Sequence, residues 1–306
     1  MLSIQPYLKT TLIAGLFSFS PLTHANPVAC FNSNTGDFCI ELFETQTPNT
    51  TANFLNYISN ETYTSGIFHR SVPGFVIQAG GYKLVNTTDG NSLAAVETFP
   101  PIANEFKISN TRGTVAMAKL GGDPDSATSQ WFINLGDNSA NLDNQNGGFT
   151  VFGRVVFDGM SVIDTIGSLP VTNLNLGSAL TEVPTKSSDG TQVVLVVTNS
   201  VNLTEVSGVF SGGFLSFTVD IGGGEFFDVR LQLIETSPNI VFELDSSSVT
   251  PIQTLPENSA TYVPLEGTLT IPSVMIDSTT VVTNVIMELT NASSFQFTLI
   301  SMEQAN

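Results

Sequence analysis

From residue 27 onward, apolar and polar positions alternate in short runs between clusters of Gly, Asn, Asp, Ser and Pro, the period-2 signal of β-strands. Two segments break that rhythm. In the first, Thr47 stands as a cap before Pro48, and Ala52, Phe54, Leu55 and Ile58 recur at helical spacing. In the second, Asp158 precedes Met160, Val162, Ile163 and Ile166. Many strands, two helices and no strand–helix alternation predict a closed barrel or an α+β domain.

Near residue 200 the pattern changes. Residues 201–306 carry 12 acidic residues against one basic residue, Arg230, and show no helical period. The runs starting at Gly213, Asp228 and Ile240 are echoed 54 to 56 residues later by runs starting at Gly267, Asn284 and Phe295. Each copy reads strand, turn, strand, turn, strand, which predicts a separate all-β domain of two similar sheets, a sandwich. The organisation expected is 1–25, 27–200 and 201–306, with a chain ending near Ser200 able to fold alone across a modest, polar domain boundary.

The first segment reads as an address. Lys9 is followed by an apolar run from Leu12 to Phe19 and by Ser20-Pro21-Leu22-Thr23-His24-Ala25, the order of a secretory signal with cleavage after Ala25. The run is too short for a spanning helix, which needs ~20 residues, and no later stretch of the mature chain qualifies. The expected location is outside the cytoplasm: the periplasm, with secretion or surface association as alternatives. In that compartment Cys30 and Cys39, flanking a turn cluster, can form a disulfide. A hairpin turning at Thr35-Gly36 would pair Cys39 with Asn32 and set Cys30 one diagonal step away, at the edge of disulfide reach. The alternative is two small buried thiols.

Charge and histidine count narrow the chemistry. The chain of 306 residues has a formal net charge of -18, which repels phosphate backbones, so nucleic acid is not an expected partner. Once His24 is removed with the leader, His69 is the one histidine left, too few for a His-built metal site. Asp123-Pro124-Asp125 and Asp143-Asn144-Gln145-Asn146-Gly147 are read as solvated acidic loops; the second lacks the closing Glu of a calcium loop.

Four blocks carry the function. They are Phe68-His69-Arg70-Ser71-Val72-Pro73-Gly74-Phe75-Val76-Ile77-Gln78-Ala79-Gly80-Gly81, Asn110 to Ala118, Asp125 to Asn134, and Val151-Phe152-Gly153-Arg154-Val155. In order and spacing they resemble the cyclophilins, which are peptidyl-prolyl isomerases (rotamases). With Pro100 to Glu105 they look closest to the periplasmic members of Gram-negative bacteria. The resemblance covers 27–200 and implies an eight-stranded antiparallel barrel capped by two helices. It implies proline-containing polypeptides as substrates and no cofactor, since turning an X-Pro bond breaks no covalent bond.

By the same resemblance, Arg70 is the donor to the prolyl nitrogen, Phe75 belongs to the proline pocket, and Gln78 contacts substrate and holds the arginine. Phe132 and Leu142 complete the pocket, with Val76 where Met is common. Ala118 matches a backbone contact, and Gln130 lies further along the groove. Three positions depart from the pattern: Lys119 where Asn is frequent, Asn141 where an aromatic wall is usual, and Phe149 where His or Tyr is common. His69 is expected to point away from Arg70 by strand alternation. The competing readings are a proline-segment binding module with little turnover, and a surface or adhesive protein whose main role sits in 201–306.

Overall fold

The computed structural model describes residues 27–87, 90–187 and 193–305; the leader-like segment lies outside them. Eight strands form the first sheet: β1 (Pro27–Ser33), β2 (Gly36–Leu42), β3 (Arg70–Val72), β4 (Val76–Ala79), β5 (Thr114–Met117), β6 (Trp131–Asn134), β7 (Val151–Val156) and β8 (Thr198–Glu205). They pair in the order β8-β1-β2-β7-β5-β6-β4-β3. The ring closes just outside β3 and β8, where Ile67 bridges Val197 and the Ser65 and Thr198 amides donate across the seam. Strand alternation fills the interior with Phe31, Phe38, Ile77, Val115, Trp131 and Phe152.

Helices plug the barrel. Helix α1 (Pro48–Ser59) inserts Phe54 and Tyr57, while Ala52, expected on the inner face, is exposed. Its free N-terminal amides are met by a distant residue: Glu105 accepts from the Asn49 and Thr50 backbone N–H groups at 3.2 and 2.8 Å. Thr47, expected as the cap, instead donates its hydroxyl to the Phe43 carbonyl. A one-turn helix, α2 (Ser139–Leu142), was not anticipated by any periodicity, being too short to show one. Helix α3 (Gly159–Gly167) buries Ile163 and Ile166 as its spacing predicts.

Cys30 and Cys39 form a disulfide. They sit directly opposite each other, because the hairpin turns at Asn34-Thr35, with Ser33 facing Gly36. The expected turn one residue later, with its diagonal pair, is corrected by that register: Ser33 Oγ reaches both the Gly36 carbonyl and the Thr35 amide, tightening the loop around Asn34.

The second sheet holds β9 (Gly208–Ser211), β10 (Phe214–Asp220), β11 (Phe226–Glu235), β12 (Val241–Leu244), β13 (Thr250–Ile252), β14 (Ala260–Val263), β15 (Thr268–Met275), β16 (Val281–Asn291) and β17 (Gln296–Gln304). The meanders β10-β11-β12 and β15-β16-β17 are the two sequence copies. Antiparallel pairing of β12 with β17 joins them on one side. On the other, β14 bridges β10 and β15. The result is one sheet closed on itself rather than two facing sheets. Among the described residues of this barrel the helical structure is a single 3-10 turn, Ser246–Ser248.

The two barrels share apolar surface. β8 pairs with β1 along its length, well past residue 200. Beyond it, Val206, Val209 and Met275 pack with Val28, Cys39 and Val156 in one buried cluster. Polar contacts flank this seam: Arg154 donates to Glu41 at 2.6 Å and to Ser216 at 2.8 Å. Asp228 accepts from Thr45 at 2.6 Å and also from Gln46. The modest polar boundary expected at residue 200 is therefore replaced by a mixed one with its own core.

Candidate active site

The barrel interior is full, so the outer face of its wall is where chemistry can occur. Along β4, Ile77 and Ala79 point inward while Val76 and Gln78 point out. The same alternation turns Ala116 on β5 and Phe132 on β6 outward. Of these, Val76, Gln78 and Phe132 floor a cleft of about 370 Å³. The Pro73-Gly74 turn, with Gly74 at φ 72°, swings Phe75 to its edge. Helix α2 brings Asn141 and Leu142 to the opposite wall.

Arg70, Phe75, Val76, Gln78, Ala118, Lys119, Phe132, Asn141, Leu142 and Phe149 thus come together around one cleft. Val76, Phe132 and Leu142 are nearly sealed within it, and Phe149 stands edge-on to Phe132 at 5.8 Å. Gln130 stands one step behind. Its Oε1 accepts from Gln78 Nε2 at 2.8 Å, which fixes the Gln78 amide from the rear.

Arg70 is held differently from the expectation. Its Nε donates to Glu182 at 3.0 Å, while Gln78, its cross-strand neighbour, is occupied by Gln130. Glu182 is placed by its own backbone, whose carbonyl accepts from the Ser71 amide. Sequence reasoning missed this partner because it lies 112 residues away and carries no motif of its own. Gln145 was missed as well; it lines the cleft and donates to the Asn141 side-chain carbonyl.

Lys119 turns its side chain away from solvent. Its ammonium donates to the Asn146 and Gly148 carbonyls at 2.8 and 2.7 Å, more weakly to Asn104, and lies 5.0 Å from the Phe149 ring centroid. Burial pushes its pKa down, with Asp125 and Asp123 pulling the other way. It ties the loop carrying Phe149 to the rest of the wall, a side-chain role beyond the main-chain contact expected. His69 is buried with Nδ1 unpartnered, and burial lowers its pKa to about 4. A neutral ring at that position is a packing element against Tyr82.

The cleft therefore offers an apolar floor, one partly exposed guanidinium, an ammonium engaged by backbone carbonyls, the side-chain amides of Gln78, Asn141 and Gln145, and no carboxylate among its lining residues. That set suits the binding of an uncharged ring next to a polar backbone. The comparisons agree in kind: the model of the cyclophilin type peptidyl-prolyl cis-trans isomerase family matches residues 29–188. The chain belongs to this family. A peptidyl-prolyl cis-trans isomerase of Acinetobacter baylyi is 35% identical over 181 residues, spanning 58% of this chain and 92% of that one. Peptidyl-prolyl cis-trans isomerase B of Escherichia coli is 41% identical over 142 residues, 44% of this chain and 81% of its own. A crystal structure of a Cryptosporidium parvum cyclophilin-type isomerase, 23% identical, superimposes with a TM-score of 0.42 over 60% of this chain and 99% of that one. The activity of this cyclophilin is peptidyl-prolyl cis-trans isomerisation. No helix of its described residues is long and apolar enough to cross a membrane.

Proposed function

We propose that Arg70 drives isomerisation by donating to the prolyl nitrogen as the amide twists. In a planar X-Pro amide the nitrogen lone pair is delocalised, and ~18–20 kcal/mol is needed to break that resonance. At the twisted geometry the lone pair localises and can accept a hydrogen bond. A donor waiting there stabilises the transition state over both planar states, the condition for raising turnover. Glu182 engages Nε and Arg70 lines the cleft, so in this reading its terminal nitrogens are the donors to substrate.

Phe75, Val76, Phe132 and Leu142 hold the proline ring by apolar contact, so the ring stays fixed while the preceding carbonyl rotates. Gln78, braced by Gln130, bonds the substrate backbone, and Ala118 adds a main-chain contact. Asn141 with Gln145 makes one wall polar where a ring would make it apolar. Phe149 closes the pocket, with Lys119 keeping it in place. The protein acts on proline-bearing segments of exported polypeptides. The secretory pattern of residues 1–25 and the Cys30–Cys39 disulfide support that setting.

The observation that carries this reading is the guanidinium beside a proline-sized apolar floor. Arg70→Ala is expected to lower turnover on a short Ala-Pro peptide by at least ~100-fold, since one aimed donor commonly supplies ~2.7–4 kcal/mol. The melting temperature should barely move. Near wild-type turnover in a folded Arg70→Ala protein would refute the mechanism. The setting is tested separately, by sequencing the N-terminus of protein recovered from outside the cytoplasm, where Asn26 is expected first.

A further inference from the structure

Because no α-helix plugs the second barrel, its ends stay open, and one end leads into a cavity of about 250 Å³. Phe217, Leu231 and Leu269 form its base, Ile221 and Tyr262 its sides, and the lining presents no polar surface. At the rim stand Val249 and Phe295, both substantially exposed, with Pro264, whose chain neighbour Leu265 is fully exposed. Phe295 adopts φ 49°, a backbone region that bulky residues avoid. Its carbonyl is pinned by the Leu244 amide at 3.2 Å, which keeps the ring at the opening despite that strain.

We propose that this opening is a binding site for an uncharged aliphatic molecule of medium length. Size is the first argument. The cavity lies between the ~150 Å³ that accommodates benzene and the ~300–1,000 Å³ of drug-sized sites. Polarity is the second. A polypeptide entering a lining that presents no polar surface would leave its backbone N–H and C=O groups unsatisfied. Charge is the third. Residues 201–306 carry 12 acidic residues, and the single arginine, Arg230, is already paired with Asp245. A carboxylate head group or an anionic bilayer is therefore repelled. The opposite end of the barrel has a cavity of similar size, but Asp277 and Thr236 line it, so it does not share this chemistry.

The test uses the full chain and the neutral fluorescent probe N-phenyl-1-naphthylamine. Saturable fluorescence enhancement is expected, reversed by decan-1-ol and at least tenfold less well by decanoate. Phe295→Gly, which places glycine where φ is positive, should keep the melting temperature and weaken probe affinity at least tenfold. Ile221→Trp, which fills the cavity, should abolish the signal. Turnover on a short Ala-Pro peptide should stay at the wild-type level in both. Undiminished probe binding in the two variants, or equal displacement by decanoate, overturns the proposal. So does co-sedimentation with phosphatidylcholine vesicles that decan-1-ol does not reverse, which would make the rim a bilayer contact.

Discussion

The two barrels of this cyclophilin solve the same problem, closing a sheet around apolar side chains, with opposite consequences for where a ligand can go. In the first, α1 and α3 seal the ends and aromatic rings crowd the interior, with Trp131 touching Phe31, Phe54 and Phe68. Nothing can enter, so the binding cleft is built from outward-facing positions of the wall. In the second, no α-helix covers the ends and smaller residues fill the middle, so space remains inside. Helical plugs thus decide whether a barrel presents its outer face or its interior to ligands.

The seam between them is where that contrast can be broken most forcefully. If the barrels are energetically one body, cutting the chain after Ser200 should damage the sealed barrel. It removes most of β8 and uncovers Val28, Cys39 and Val156, now buried under Val206, Val209 and Met275. At ~1.5–3 kcal/mol for a fully buried side chain, the loss is on the order of 5 kcal/mol. The melting temperature should fall by roughly 10–20 °C at ~2–4 °C per kcal/mol for a domain of this size. A chain ending at Ser207 should recover part of it. A Ser200 chain that melts within a few degrees of the full protein would show that the seam is adventitious.

That outcome bears on what was legible in the chain. The four blocks were readable because each packs several constrained residues into one strand and its turn, as in Pro73-Gly74-Phe75 beside β4. The two helices were readable from period alone. The partners contributed by distant segments were not: Glu182 at Arg70, Glu105 at the start of α1, and Asp228 across the seam are lone carboxylates in acidic sequence. Closure of the second barrel was hidden for a related reason. A strand repeat fixes which residues alternate, but the β12–β17 and β10–β14 pairings that close the ring leave no periodic mark. The composition break at residue 200 reports a change of surface charge, whereas the sheet changes only after Glu205.

A weaker test of the sealed barrel uses acid. Burial lowers the His69 pKa to about 4, against 6.5 for an ordinary histidine, with the Gln130 hydrogen bond opposing and Arg70 adding to the shift. Between those values only the unfolded chain takes up the proton. Stability should therefore fall as pH drops below about 6.5 and stop falling from this source below about 4, a total of roughly 3 kcal/mol. Trp131, the single tryptophan and buried in the barrel core, reports unfolding. His69→Phe should remove this component of the pH dependence followed by tryptophan fluorescence. An unchanged profile would mean that the buried ring takes up its proton without unfolding.

The smallest expected effect concerns Asp228, which joins the barrels with the opposite sign of pH dependence. Burial raises its pKa, and hydrogen bonds from Thr218, Thr45 and Gln46 only partly offset that. The folded protein thus holds this proton more tightly than the unfolded chain does. Its stabilising contribution is complete below the ordinary carboxylate pKa and is lost as pH rises through the raised value. Asp228→Asn stays neutral throughout and can still accept from Thr45 or Gln46, so stability at pH 7 should change by no more than ~1 kcal/mol. Asp228→Ala leaves those donors without an acceptor and should be the worse variant by ~1–3 kcal/mol. Thermal melts of both variants at pH 4 and pH 7 decide the matter. If Asn proves as damaging as Ala at pH 7, the charge itself holds the seam, and the burial argument for Asp228 fails.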